Sequence, residues 1–468
     1  MSERTFEDRS PIDGSVIAHV PAGGQAEAQA AAAAAAAAFP AWAGTPPETR
    51  QRLFLATAAR VEERHEEIVE LLALETGATR VFAEGQLAWV GTALRQAAGL
   101  AYRPSGEVIP SDTPGSMHLA VRRPLGVVAG ITPWNGAQIV GWRTVIAPLL
   151  YGNTVVLKPS EHAPRAAGLL IAEIATEAGF PPGTINVVTH APGEAEPVAD
   201  ELFGADAVRC INFTGSTRTG RLIAERAGRF LKRTVLELGG FNPLLVLADA
   251  DLDYAVDAAA FAAFLHQGQV CLNARKAIVE EPLLEPFVEG LRRHAEGLRV
   301  GDPRRDEVDL GPLIGPEAVA TARAAIDDAV GRGARLVCGG DVDGNLMRPA
   351  ILTDVPAEAE IYREEVFAPV LVVERAADAE DALRIAGDHR YGLAAGIITG
   401  DHERGLALAA RIEAGVVHVN DQTMHDEPQM PVGGVRDSGW GRPGPWSIED
   451  FTYLQWVSSQ SGRRHFPL

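Results

Sequence analysis

The chain has 468 residues, 46% of them hydrophobic and 22% charged, enough to bury a large core in two or more domains of an ordinary soluble protein. Its formal net charge of −20 works against nucleic acid or an anionic membrane as a main partner, because both reward clusters of Lys and Arg. The cysteines Cys210, Cys271 and Cys338 are too few and too scattered for a disulfide framework or a zinc site, so no metal is expected.

The opening MSERTFEDRS mixes both charge signs without an apolar h-region, and the most apolar stretch, near LGVVAGITPWNGAQIVGW, is interrupted by polar residues. The expected location is cytoplasmic, with reduced thiols. SVIAHVPA reads as a short strand. The alanine-rich block AEAQAAAAAAAAAFPAW favours a helix that Pro40 ends. Helical periodicity then continues through RQRLFLATAARVEERHEEIVELLALETG and stops at Gly77. From about residue 117, short β-branched runs alternate with helical segments: HLAVRRPLGVVAGI, TVVLKPSE, TINVVT and VRCINFTGS. This alternation predicts parallel βαβ units and a doubly wound α/β domain. A second series after Glu237 (FNPLLVLADA, KAIVEE, GARLVCGG, VFAPVLVVE) predicts another α/β domain of similar size. The aromatic, alternating tail FTYLQWVSS is expected to pair with the apolar ribbon near residues 117–128, within or between chains.

Two segments could hold an anionic ligand. FTGSTRTG places Gly215 and Ser216 in a turn between a strand and a helix, where backbone N–H groups can meet a phosphate. The Gly215-to-Gly220 spacing resembles a P-loop, but Arg221 and Leu222 replace its Lys and Ser/Thr, and G-x-G-x-x-G is missing; the turn is either a cofactor contact or an ordinary connection. In TVVLKPSE, Lys158 and Glu161 follow an apolar strand, at the edge where open α/β sheets bind ligands. Ammonium and carboxylate together suit ribose hydroxyls, and the carboxylate repels a 2′-phosphate, which favours NAD and leaves NADP possible. The alternative is a surface Lys/Glu pair, against which stands the scarcity of lysine: Lys158, Lys232 and Lys276 are all there are.

HQGQVCLN sets Cys271 after a flexible Gln-Gly-Gln-Val run, and the thiol is either core filler or a nucleophile. An ordinary thiol is mostly protonated at neutral pH, so a nucleophile needs local help. Cys210 and Cys338 sit inside apolar strand candidates and read as core. Glu237, between apolar residues in LELGGFNP, suits a buried general base, and Asn135 in PWN offers an amide donor to an oxyanion in a turn preset by Pro133. Nucleophile, base and oxyanion donor suffice for acyl chemistry through a thioester.

ITPWN, TVVLKPSE, FTGSTRTG, LELGG, GQVC, EEVFAPV and GGVRDSGWGR occur in the order and close to the spacing of the aldehyde dehydrogenase superfamily, which the chain resembles over nearly its whole length. The resemblance implies an α/β fold of two doubly wound domains plus a small β oligomerisation ribbon. The NAD-binding domain would span 1–105 and 125–239, the catalytic domain 240–436, and the oligomerisation segments 106–124 and 448–468 of a homodimer or homotetramer. It implies that Cys271 attacks an aldehyde, that Asn135 and the cysteine's own amide hold the oxyanion, and that hydride passes to the nicotinamide. Glu237 would activate the water that hydrolyses the thioester. Lys158 and Glu161 would contact the adenosine ribose, Gly215 and Ser216 the pyrophosphate, and Glu365 with Phe367 the nicotinamide side. His266, where asparagine is common, and Val432, in place of an aromatic residue, depart from the pattern; neither is expected to touch the reacting groups, and both are expected to alter pocket shape.

GEVIPSDTPGSMHLAVRRPLGVVAGITPWN and VNDQTMHDEPQMPVGG look most like the benzaldehyde, vanillin and salicylaldehyde branch, implying an aromatic aldehyde. The helix after Asn135 should turn Ile139 or Val140 and Arg143 toward the substrate entrance. Arg143 then engages a phenolic oxygen, clamps the carboxylate of an ω-semialdehyde such as succinate semialdehyde, or merely pairs with a surface carboxylate. Glu237 argues against a CoA-acylating relative. The joint presence of Cys271, Glu237 and Asn135 argues against a non-catalytic one, and a simple thiol hydrolase would need no dinucleotide site.

Overall fold

The computed structural model describes every residue except 1, 3, 306, 307 and 443. The alanine-rich helix runs Gln25–Ala43, one turn beyond the expected stop, with Pro40 inside it. A proline so near the end removes one N–H, while its own carbonyl still receives the Gly44 amide that closes the helix. Alanine matters here for size: Ala28, Ala32 and Ala35 are buried, and the Ala35 carbonyl accepts the Thr154 hydroxyl at 2.9 Å, seating the helix on the strand Thr154–Pro159. The expected continuous helix up to Gly77 is two helices, Pro47–Glu63 and His65–Thr76. The break is at Arg64, whose guanidinium gathers Glu67, Glu173 and Glu177. Gly77 closes the second helix with φ +67°, where a Cβ would lie 2.8 Å from Pro312.

Among the described residues two large sheets carry the molecule. The first has the order Gly439–Trp440, Arg233–Glu237, Val208–Thr214, Val127–Thr132, Thr154–Pro159, Ile185–Val187; all neighbours are parallel except the first pair. The second has the order Arg335–Cys338, Ala350–Thr353, Val370–Ala376, Lys276–Glu280, Leu244–Val246, Ala394–Ile398, Val416–Val419, again parallel after one antiparallel edge. Their central strands are buried on both faces, as covered parallel sheets require.

Register in the first sheet sets up the site. Ile131 pairs with Lys158 and with Phe213, and Thr214 pairs with Glu237. Lys158, the Asn135 turn, the Gly215–Ser216 turn and Glu237 therefore share its carboxyl edge. The tail does find a ribbon: Thr452–Gln460 pairs within the chain along the whole of Ser116–Pro124, whose other side takes Gly106–Ile109. No helix among the described residues is long and apolar enough to cross a membrane.

Candidate active site

The nucleophile loop begins where helix Leu252–Phe264 ends. His266, Gln267 and Gly268 all take left-handed conformations, with φ of 51°, 55° and 69°. A Cβ at Gly268 would lie 2.1 Å from the Ala368 carbonyl, so the chain lies flat against that segment. The run expected to be flexible is instead clamped. The Gln267 amide donates to Gly77 O at 2.9 Å, Arg275 donates to Gly268 O and Val270 O at 2.7 and 3.0 Å, and Asn242 donates to Cys271 O and Asn273 O at 2.6 and 2.8 Å. The carbonyls of Gly268, Val270, Cys271 and Asn273 thus each have a side-chain donor, which fixes the thiol.

Cys271 and Asn135 line one cavity of about 660 Å³, with Ile139, Val140 and Arg143 on its wall. Burial pushes the Cys271 thiol up to about 12, the negative charges of Glu237 and Glu365 push the same way, and Arg143 opposes them. Cys210, buried in strand Val208–Thr214, is core, and Cys338 is half-buried in an edge strand. Glu237 is the last residue of strand Arg233–Glu237, and burial holds its carboxyl above the usual range despite Arg143. Gly239 and Gly240 follow because nothing larger fits: a Cβ would stand 2.3 Å from Glu365 Oε2 at the first and 2.7 Å from Cys271 O at the second. Glu365, itself raised by burial, lies 3.4 Å from Arg275, and the same guanidinium lies over Phe367, whose ring meets Trp134 edge-on at 5.9 Å.

Arg143 does not pair with a surface carboxylate. Its guanidinium contacts Asp426, lies 3.5 Å from Glu237 and covers the Trp89 ring at 4.7 Å, with all three charged side chains largely buried. His266 stacks on Phe82, which lines the cavity, at 4.2 Å and lies beside Trp134, the neighbour of Asn135. Burial pushes its imidazole down to about 3, so it is neutral. Val432 borders a different cavity, with His418 and His425.

The model of the family described as "Aldehyde dehydrogenase family" matches residues 1–457. The chain belongs to this family. A vanillin dehydrogenase of Pseudomonas fluorescens is 46% identical over 466 residues, 99% of this chain and 96% of that one. An NAD(+) benzaldehyde dehydrogenase of Pseudomonas putida is 40% identical over 91% of this chain and 87% of its own. The solved structure of a salicylaldehyde dehydrogenase from Pseudomonas putida G7, complexed with salicylaldehyde, superposes with a TM-score of 0.97 at 38% identity, covering 100% of this chain and 97% of that one. The protein is an aldehyde dehydrogenase of α/β fold, a family that works with NAD(P).

In this aldehyde dehydrogenase the cofactor candidates lie along the carboxyl edge of the first sheet. Lys158 is buried and pushed down to about 8 by burial; its Nζ lies 2.7 Å from His190 Nε2, while His190 Nδ1 lies 3.0 Å from Ala191 O. That arrangement makes Nε2 the acceptor and the imidazole neutral, so Lys158 keeps donors to spare. Glu161 Oε2 is 3.8 Å from the same nitrogen. Ser216 caps helix Thr217–Arg229, its hydroxyl accepting from the Thr219 amide at 3.2 Å, beside other first-turn amides that point toward any anion at the helix start. Cationic donor, carboxylate and helix N-terminus on one edge fit a dinucleotide.

Sequence reasoning passed over Asp426, Arg275, Trp89 and His190. Asp426 lies inside VNDQTMHDEPQMPVGG, a stretch already marked as branch-specific, but its partner stands 283 residues away.

Proposed function

We propose that this aldehyde dehydrogenase oxidises aromatic aldehydes to carboxylic acids with NAD, through a thiohemiacetal and then a thioester on Cys271. The observation that carries the reading is the single cavity in which Cys271 and Asn135 open onto a wall built from Phe82, Trp89, Ile139, Val140 and Phe261. An aromatic ring loses its water there against apolar surface, at about 25 cal/mol per Å² buried. The names of the vanillin and benzaldehyde dehydrogenase relatives support the same substrate class. Arg143 bears on the ω-semialdehyde alternative: with Asp426 and Glu237 already at its guanidinium, it offers a distal carboxylate no unpaired positive charge.

In this reading Cys271 gives its thiol proton to solvent water as Sγ attacks the aldehyde carbon, and the Asn135 amide with the Cys271 N–H receives the oxyanion. Bound NAD supplies the hydride acceptor. Glu237 takes a proton from the water that attacks the thioester, releasing the acid and restoring the thiol. Lys158 and Glu161 would hold the adenosine ribose, Gly215 and Ser216 the pyrophosphate, and Glu365 with Phe367 the nicotinamide end. Glu161 supports NAD over NADP by charge. Segments 1–105 with 125–239 would form the cofactor domain and 240–436 the catalytic domain. The ribbon of 106–124 and 448–468, which exposes Val108, Met117, Leu454 and Trp456, would join a homodimer or homotetramer.

The test is NADH and NADPH formation with benzaldehyde, vanillin, salicylaldehyde, succinate semialdehyde and acetaldehyde, compared as kcat/KM. Highest values for aromatic aldehydes with NAD, abolished in Cys271→Ala, are expected. Preference for succinate semialdehyde would overturn the substrate class.

A further inference from the structure

Arg143 lies two turns beyond Asn135 on helix Ala137–Leu150 and stands between two acids, one proposed as a base and one with no assigned role. Nη1 lies 3.5 Å from Glu237 Oε2, and Nη2 makes the closer contact, to Asp426 Oδ2. The three side chains are 11%, 14% and 13% exposed, and they sum to one net negative charge in a mostly dry place. Arg143 Nε and Asp426 Oδ1 have no hydrogen-bond partner among the described residues. Such a network is a poor stabilising device, because apolar residues of equal volume serve as well or better. Its placement points elsewhere. The segment carrying Asp426 is tied to the nucleophile loop by the Thr423 hydroxyl, which donates to Leu272 O at 2.7 Å.

We infer that Asp426 is a positioning residue for thioester hydrolysis: by drawing the Arg143 guanidinium to itself, it leaves the Glu237 carboxylate loosely paired and able to take a proton from water beside Cys271. The inference rests on the thioester reading of Cys271, not on which aldehyde is oxidised.

A carboxylate locked in a close guanidinium pair is a weak base, since the pair favours its charged form. The groups facing Glu237 are Arg143 from its helix, Asp426 from the 420s segment, Arg442 from the segment after Trp440, and the Cys271 thiol. Burial raises the Glu237 carboxyl, Arg143 and Arg442 lower it, and Asp426 raises it. Removing the Asp426 charge therefore hands Arg143 to Glu237 and weakens the base. Removing the Arg143 charge does the reverse.

The experiment loads Cys271 with a benzoyl group from p-nitrophenyl benzoate, without cofactor, and follows its loss by intact-protein mass across pH. In Asp426→Asn the acidic limb of the hydrolysis rate should move to lower pH, with the plateau falling roughly three- to tenfold. In Arg143→Gln the limb should move to higher pH. Asp426→Asn/Arg143→Gln, which keeps the cluster at the wild-type sum of one negative charge should Arg143→Gln fold poorly, should place it between them. Limbs that stay put, or that move the same way in both single variants, would overturn the inference, as would a purely structural effect that changes only the rate of benzoyl uptake. Loss of benzoyl uptake in Cys271→Ala confirms the site; uptake retained there would overturn the inference. If the wild type reduces NAD with none of the aldehydes yet the limbs shift in opposite directions, the aldehyde reading fails and this inference stands.

Discussion

Replacing Glu237 by Gln should make Cys271 more reactive toward an alkylating agent while removing the base proposed for hydrolysis. The thiol is pushed up to about 12 by burial first and by the Glu237 and Glu365 charges next. At pH 7.5 it is roughly one part in 30,000 thiolate, against about one part in ten for an ordinary thiol near pKa 8.5. A more basic thiolate is also a better nucleophile, with a slope of about 0.45, which recovers some of that deficit. The net expectation is alkylation about a hundredfold slower than for an exposed cysteine. Removing one neighbouring negative charge lowers a thiol pKa by about one unit. The same slope then leaves Glu237→Gln alkylated about threefold faster than wild type at pH 7.5. Iodoacetamide labelling without cofactor, with the Cys271 peptide followed by mass across pH, measures both quantities. A wild-type rate equal to that of an exposed thiol, or slower labelling in Glu237→Gln, would refute the electrostatic reasoning.

Two further outcomes follow from other buried charges. Asp8 and Glu75 form a buried acid pair, both raised by burial, with Glu75 also accepting the Arg165 and Ala166 amides at 3.1 and 2.8 Å. Because their folded pKa values lie above the unfolded ones, the folded state holds protons that the unfolded chain releases. Their contribution is most favourable below the unfolded carboxyl range and is lost as pH rises through the folded values. Asp8→Asn should flatten the fall in denaturation midpoint above about pH 4; a midpoint–pH curve unchanged from wild type would contradict the pairing. Glu161→Ser should raise the NADP-to-NAD ratio of kcat/KM at least about tenfold by removing like-charge repulsion of a 2′-phosphate; an unchanged ratio would remove Glu161 from the proposed ribose contact.

The chemistry-bearing residues were legible because each sits in a short local pattern: Asn135 after Pro133, Glu237 before two glycines, Cys271 after Gln-Gly-Gln. Strands 127–132, 154–159 and 208–214 were legible as β-branched runs between helices. Ala394–Ile398 and Val416–Val419 were not, since AAGII carries two alanines and a glycine and is buried on both faces, which leaves no alternation to read. Pro40 misled because a proline in a last turn costs one hydrogen bond, less than the buried alanine face recovers. The environment of Arg143 was hidden for a different reason. Its partners Glu237 and Asp426 lie 94 and 283 residues away, and only the closing of two sheets around one cavity brings them to a single guanidinium. The clamping of the nucleophile loop by Asn242, Gln267 and Arg275 likewise belongs to tertiary structure, as local composition alone reads as flexible.

The central claim is that Cys271 carries the acyl group from aldehyde to acid, with Glu237 as the base that releases it. The most direct measurement mixes Glu237→Gln protein with benzaldehyde and NAD and maps the covalent adduct by peptide mass spectrometry. A benzoyl group on Cys271, formed with one burst of NADH and lost slowly, is the expected result. NADH formed at the wild-type steady rate with no adduct, or an adduct on another residue, would contradict the account.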